Sequence, residues 1–392
     1  MKYIFSSIFL FALFCGCKKN DCLFEQDVIK NIESIDLSLT KLIISAENDI
    51  YQKNIFQITA GDQIKPFNFS PTRNDFDYSQ FDVHTPYKLT SKYLQFMIED
   101  SVFIADLESG ALTRNSLDVD DFSNISFTSA NTVYYENEDY QIVRCDLSSP
   151  SHPKETVISY KDDHVYNYTT DNDGNVVYMG NFDGNNIIRA ICADGNAKKN
   201  LPYNSTYMDP FSGADGNIYY TSDIDGQSET ALIKVSFSPF TIDTLQKSNN
   251  YPSSRDGFAL IKNTGHCMIY HWFKFYMFDK DANMTFLNDR YNWDIDNFVT
   301  MESNGNFCYI VCRKNSGETV LLKFDPTELA FTELINERYD ITTIATMKDN
   351  SVYFKALDVW EFTSVIGKVN DDKTVTIIDN NFPAKVEFIK LD

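Results

Sequence analysis

The feature that most constrains this chain is that it repeats itself. Residues 214 to 226, ADGNIYYTSDIDG, align with residues 172 to 184, NDGNVVYMGNFDG, at a constant offset of 42 residues. Taking Ile218 as the reference, equivalent apolar starts fall at Leu42, Leu94, Val133, Val176, Cys267, Phe307 and Val352, between 39 and 52 residues apart. The strands they open read LIISAE, LQFMIE, VYYENE, VVYMGN, IYYTSD, CMIYHW, FCYIVC and VYFKAL. A period of this length belongs to propellers and solenoids.

Each unit has the same interior. A polar turn follows the reference strand and leads to a second strand such as ALIKVSF, IIRAIC, IVRCDL, VLLKFD or VIGKVN. Another short strand comes after that, as in FTIDTLQ, FTELI and TVTIID, and one precedes the reference strand, as in VYNYTT, DGFALI and ITTIAT. Four short antiparallel strands per unit with turn residues between them describe a propeller blade. No unit carries a long stretch of 3.6-residue period, which excludes a helical solenoid.

The repetition has a physical cause. One four-stranded sheet cannot cover both of its faces, so each blade needs a neighbour on either side, and only a closed ring leaves none uncovered. The segment AKVEFIKL near the C-terminus is a strand with no partner following it, while the unit opening at Leu42 lacks a strand before it. Lys385 to Leu391 is therefore expected to complete the first blade. The fold class is all-β: a propeller of eight four-stranded antiparallel blades, with seven as the rival count because the CMIYHW unit and the first unit are the weakest.

The N-terminus reads differently. MKYIFSSIFLFALFCGCKKNDC has one basic residue, Lys2, and then an apolar run from Tyr3 to Cys15, the layout of a secretory signal. The run is shorter than the roughly 20 residues a membrane span needs. Gly16 before Cys17 resembles the lipobox of bacterial lipoproteins, in which a small residue precedes the cysteine that is acylated. The resemblance implies a signal peptide over residues 1–16, lipidation at Cys17, and a membrane anchor strengthened by every buried methylene. A tether is expected over 17–33 and a single propeller domain over 34–392. In CKKND no Asp follows Cys17, so the enterobacterial sorting rule places the anchor in the outer membrane, with the periplasmic or outward side left open.

The stretches DGNIYYTSDIDGQSETALIKVSF and DGNVVYMGNFDGNNIIRAICADGNAKKNL resemble blades of the propellers related to TolB and to the YWTD repeats of the low-density-lipoprotein receptor. The resemblance spans about 85 residues, and YWTD itself is absent. It implies a toroid that docks proteins or small ligands on one face. That family is six-bladed, two fewer than the units counted here.

Charge excludes other classes of partner. The formal charge is -22, and becomes -23 once the single charged residue of 1–16, Lys2, is removed. Nucleic acid binding depends on clustered Lys and Arg to neutralise phosphates, so no nucleic acid partner is expected. Attraction of the body to anionic lipid heads is excluded on the same ground.

Motifs for chemistry are scarce. DNDGN at 171 to 175 and SDIDG at 222 to 226 lack the first Asp ligand and the closing Glu of a calcium loop. They read as tight turns, where Asp-Gly and Asn-Gly accept positive φ. The histidines 266 and 271 are an odd number apart, on opposite faces of a strand, and cannot chelate one zinc together. Cys308 and Cys312 sit on one strand too far apart to bridge, and no Cys-x-x-Cys occurs, so the cysteines read as buried apolar residues. There is no Gly-x-Ser-x-Gly elbow, no phosphate loop and no quinoprotein Trp motif among Trp272, Trp293 and Trp360. No cofactor and no metal are expected.

Two functions remain. The aromatic stretches HWFKFYMF and RYNW single out Trp272, Tyr291, Trp293 and Trp360 as candidate binding residues, able to stack on sugars or to anchor a protein. A lipid-anchored binding or scaffolding propeller facing a protein or glycan partner is one reading. The other is an envelope enzyme, a glycosidase or lyase using paired carboxylates in the propeller mouth, which the 56 acidic residues permit without identifying a pair.

Overall fold

A computed structural model of the chain describes residues 32–47, 53–66, 69–70, 83–98, 101–114, 121–195, 198–201, 206–213, 215–223, 230–248, 257–271, 274–281, 283–287, 295–335, 338–382 and 385–391. It is an all-β ring of eight blades, each a four-stranded antiparallel sheet. Blades 2 to 8 span residues 83–114, 121–157, 164–200, 206–248, 257–286, 295–335 and 339–379. Both of the weaker repeat units are complete blades, which sets the seven-blade count aside.

Blade 1 is built from both ends of the chain. Lys385–Lys390 pairs antiparallel with Thr40–Glu47, from Leu42 against Lys390 to Glu47 against Lys385, and supplies the innermost strand that the first unit lacks. Lys53–Thr59 and Ile64–Pro66 complete the sheet. Elsewhere the innermost strand comes first in the blade and the chain moves outward. The turns joining first to second and third to fourth strands then form one face of the ring, the hairpin face. Second-to-third turns and the links between blades form the other, the crossover face.

The core sits in the seams between blades, and its segregation follows from the two-residue period of a strand. Leu42, Ile44 and Ala46 point into a cluster with Ala345, Tyr353 and Ile366 of blade 8, while intervening Ile43 joins Leu94, Phe96 and Phe103 of blade 2. Both faces of each sheet are thus buried, which is why the strands read as near-continuous apolar runs. The eight apolar clusters of the described residues map one to each seam, blade 8 to blade 1 included. Truncating a fully buried member such as Leu42 to Ala should cost about 2–5 kcal/mol.

Two features escaped the sequence. Ile32, Ile35 and Leu37 are buried between blades 1 and 2, where Ser34–Ile35 pairs with Phe69–Ser70 and the Ile35 amide donates to Gly110 O at 2.9 Å. This N-terminal strap covers the seam beside the closing strand. The second feature is a polar stitch that recurs on the hairpin face. Near the start of the second strand of blades 3, 5, 7 and 8 stand Tyr134, Tyr219, Tyr309 and Tyr353, each opposite a cation on the third strand: Arg144, Lys234, Lys323 and Lys368. Tyr134 donates to Gly174 O at 3.1 Å, and Tyr353 donates to Asp62, in each case a turn of the next blade. Lys323 pairs with Asp371 at 2.7 Å and Lys368 with Asp62 at 3.3 Å, again one blade on. Lys234 instead meets Asp215 of its own blade at 2.8 Å.

Candidate functional site

Asp163 ends the link from blade 3 to blade 4 and is buried, 2 % exposed. Its Oδ2 accepts from Arg189 Nη1 at 2.6 Å and from the hydroxyl of Tyr178, which lies opposite Arg189 in the register of blade 4. Desolvating a carboxylate and a guanidinium costs several kcal/mol for each ion, so the two hold one another in place. Burial, reinforced by the hydrogen bond to Asp163, pushes the Tyr178 phenol well above its ordinary range. Gly180 is required for the packing around this pair, because a Cβ there would lie 2.6 Å from His164 O.

The fixed guanidinium lies over the Tyr160 ring at 4.2 Å and the Phe182 ring at 5.5 Å. Around it on the crossover face stand Tyr140, Tyr160, Tyr166 and Phe182, each between 38 and 44 % exposed. His164 stacks on Tyr140 with centroids 3.8 Å apart and lies 6.1 Å from Tyr166. Two exposed rings against a positioned cation, and two more against His164 beside the Asp163 that holds it, form a patch rather than scattered surface residues.

Blade 8 carries a second group on the same face. Arg338 is held by Asp358 through Nη2 at 2.8 Å and Nε at 3.0 Å, and its guanidinium lies 5.1 Å from the Trp360 ring. Burial opposes ionisation of Asp358, but the Arg338 bonds and the amides of Trp360 and Glu361 hold it below the usual carboxylate range. Trp360 is 66 % exposed and Phe362 82 %. Both groups use one device: a carboxylate fixes an arginine, and the arginine lies against an exposed ring. Blades 4 and 8 are four apart in the ring of eight, so the groups lie across the face from one another.

Of the residues singled out from the sequence, Trp360 belongs to this face. Trp272, Tyr291, Trp293 and Cys17 lie outside the described residues. Tyr140, Tyr160, Tyr166, Phe182 and Arg189 were missed, because they come from a turn, a link and three different strands and share no motif. The carboxylates of the inner strands that the structure shows in ion pairs meet cations: Glu302 with Lys390, and Asp340 with Arg313 at 2.7 Å. Among the described residues no group of three or more His, Cys, Asp or Glu could hold a metal ion.

The 171–175 stretch is a turn, as its sequence implies. Asp171 Oδ1 accepts from the amides of Asp173 and Asn175 at 2.9 and 2.8 Å, and Gly174 takes φ +88°. Residues 224–226 of the second such stretch are outside the described residues. Cys145, Cys267, Cys308 and Cys312 are buried free thiols. Burial pushes the Cys145 and Cys267 thiols up to about 12.

No protein-family model matches the chain, and no curated relative does. Solved structures share its fold. A structure described as the eukaryotic initiation factor is 9 % identical, with a TM-score of 0.53 over 89 % of this chain and 98 % of its own. The β-propeller domain of the Trilobed protease from Pyrococcus furiosus is 12 % identical, with a TM-score of 0.44 over 80 % of this chain and 98 % of its own. An oligogalacturonate lyase from Vibrio parahaemolyticus is also 12 % identical, with a TM-score of 0.44 over 88 % of this chain and 86 % of its own. At these identities a likeness is one of fold alone; it is the eight four-stranded sheets of the ring that make the chain an eight-bladed β-propeller.

Proposed function

We propose that this protein is a lipid-anchored binding propeller of the outer membrane, held through Cys17, that presents its crossover face to a protein partner. The observation that supports the reading is the pairing of exposed aromatic rings with arginines already fixed by carboxylates. Tyr, Trp and Arg dominate the energetic centres of protein interfaces. An arginine whose geometry is set beforehand loses little further freedom on docking. A protein fits better than a single sugar ring because the groups at blades 4 and 8 lie across the ring, and one ligand touching both must be macromolecular in extent. The resemblance to TolB-like and YWTD propellers points the same way, toward docking on one face.

The test is retention of an envelope protein by the mature chain and by two variants, Tyr160→Ala/Phe182→Ala and Trp360→Ala/Phe362→Ala. Each variant is expected to keep its melting temperature and to weaken retention of the same partner by about 30-fold, the effect of losing roughly 2 kcal/mol at a hot spot. Undiminished retention by both would remove the crossover face from the reading. Replacement of Cys17 by Ser should separately abolish acylation and membrane association.

A further inference from the structure

At the hairpin end of the seam between blades 3 and 4 lies a cleft of about 500 Å³. Its floor is a cross-strand grid on blade 3, with Tyr134, Arg144 and Thr156 in one row and Thr132, Asp146 and Lys154 in the next. Blade 4 supplies the opposite wall through Asn172, Asp173 and Ala193, and Thr128 stands at the side.

This seam departs from the stitch seen elsewhere. At the equivalent seam between blades 7 and 8, Lys323 takes the place of Arg144 and is neutralised by Asp371, around a smaller cleft of about 350 Å³. Counting from the paired strands, Ala193 of blade 4 occupies the position of Asp371 in blade 8: Val176 pairs with Ile191 and Val352 with Val369, each two residues earlier. With alanine there, the Arg144 guanidinium donates to the Ala193 carbonyl instead. Among the described residues neither Arg144 nor Lys154 has a carboxylate within 4.0 Å, in a chain with 56 acidic residues. Two cations that no carboxylate contacts, with Asp146 acting on both only at longer range, therefore line a cleft of ligand-binding size. Hydroxyls of Thr128, Thr132 and Thr156 stand beside them. Asp146, whose Oδ1 already accepts from the Ser148 amide and hydroxyl at 2.8 and 2.6 Å, and Asp173 are placed to accept from hydroxyl donors.

We propose that this cleft binds a small hydroxylated anion of the sugar-acid type, its carboxylate between Arg144 and Lys154 and its hydroxyls against the threonines and the two aspartates. A simple inorganic anion would leave the aspartates unfavourably placed, and a neutral sugar would leave both cations without a contacting oxyanion. The cleft opens on the face opposite the aromatic patch, so it stands or falls apart from the docking surface.

The experiment is calorimetric titration of the full chain with D-glucuronate, D-galacturonate and N-acetylneuraminate, using D-glucose and inorganic phosphate as controls. Saturable binding of at least one sugar acid is expected, with glucose and phosphate each at least tenfold weaker. Ala193→Asp introduces the carboxylate found at the seam between blades 7 and 8 and should lower affinity at least tenfold without lowering the melting temperature. Lys154→Gln, at an exposed strand position, should weaken binding similarly. The proposal is overturned if no sugar acid binds, if glucose or phosphate binds as well as the acids, or if binding survives both substitutions in folded protein.

Discussion

Lys390, the last residue of the closing strand, pairs through its ammonium with the carboxylate of Glu302 on the inner strand of blade 7, reaching past blade 8. The same ammonium donates to Thr346 Oγ1 at 3.3 Å, and the Thr346 amide donates to Glu302 Oε2 at 2.7 Å. Three blades are thereby joined at the hairpin mouth of the channel, next to the point where the two ends of the chain meet. Burial pushes the Glu302 carboxyl up, and Lys390 and Thr346 offset only part of that.

Removing one partner should therefore cost more than removing both. Lys390→Met leaves a carboxylate in a mostly buried place and is expected to lower stability by about 2–3 kcal/mol. Adding Glu302→Gln should recover at least half of that loss. Chemical denaturation of the two single variants and the double variant measures the coupling directly. Equal, additive losses would show that the pair has no part in closure.

The outer edge of the same closure is held by Asp62, in the turn between the third and fourth strands of blade 1. It accepts from Tyr353 and Lys368 of blade 8, and from Lys41 at 3.1 Å. Burial works against ionisation, but these three partners hold Asp62 below the usual carboxylate range. A depressed carboxylate contributes stability that is present above its unfolded pKa and lost as pH falls through the folded one. Asp62→Asn should thus cost about 1 kcal/mol at neutral pH, with the difference from wild type shrinking below about pH 4. Melting curves across that range test it, and a pH-independent difference would contradict it.

Lys355 shifts in the opposite sense. It is 1 % exposed on the second strand of blade 8 and donates to Ser364 Oγ and, at 3.3 Å, to Phe382 O. Burial lowers its pKa to about 8. Between there and the unfolded value of about 10.4, the unfolded chain holds the proton that the folded chain has released, so stability rises with pH. Lys355→Met should be more stable than wild type by about 1–3 kcal/mol at neutral pH, an advantage that shrinks from pH 8 to 10. The tyrosines ionise alike in both proteins and cancel from the comparison.

The architecture was legible because its cause is periodic. Eight apolar starts, Asp-Gly and Asn-Gly turns, and a final strand without a partner each follow from a sheet needing two covered faces, and each leaves a local mark. The stitch was legible in principle, since a Tyr stands one or two residues after the apolar start, at 134, 219, 309 and 353. Its meaning needed the register that sets a cation opposite each one. The aromatic patch was not legible. Tyr140, Tyr160 and Phe182 come together only because one link and two turns converge beside blade 4, and the pairing of Arg189 with Asp163 spans 26 residues. The N-terminal strap was hidden for a simpler reason: Ile32, Ile35 and Leu37 are too few to show a period.

The most direct test of the docking reading is amide hydrogen exchange on the mature chain, alone and saturated with the envelope protein it retains. The expected result is slowed exchange confined to the crossover face, at residues 138–141, 158–166 and 182–186 and again at 357–362. Protection on the hairpin face instead, or none on the segments carrying Tyr160 and Trp360, would contradict it.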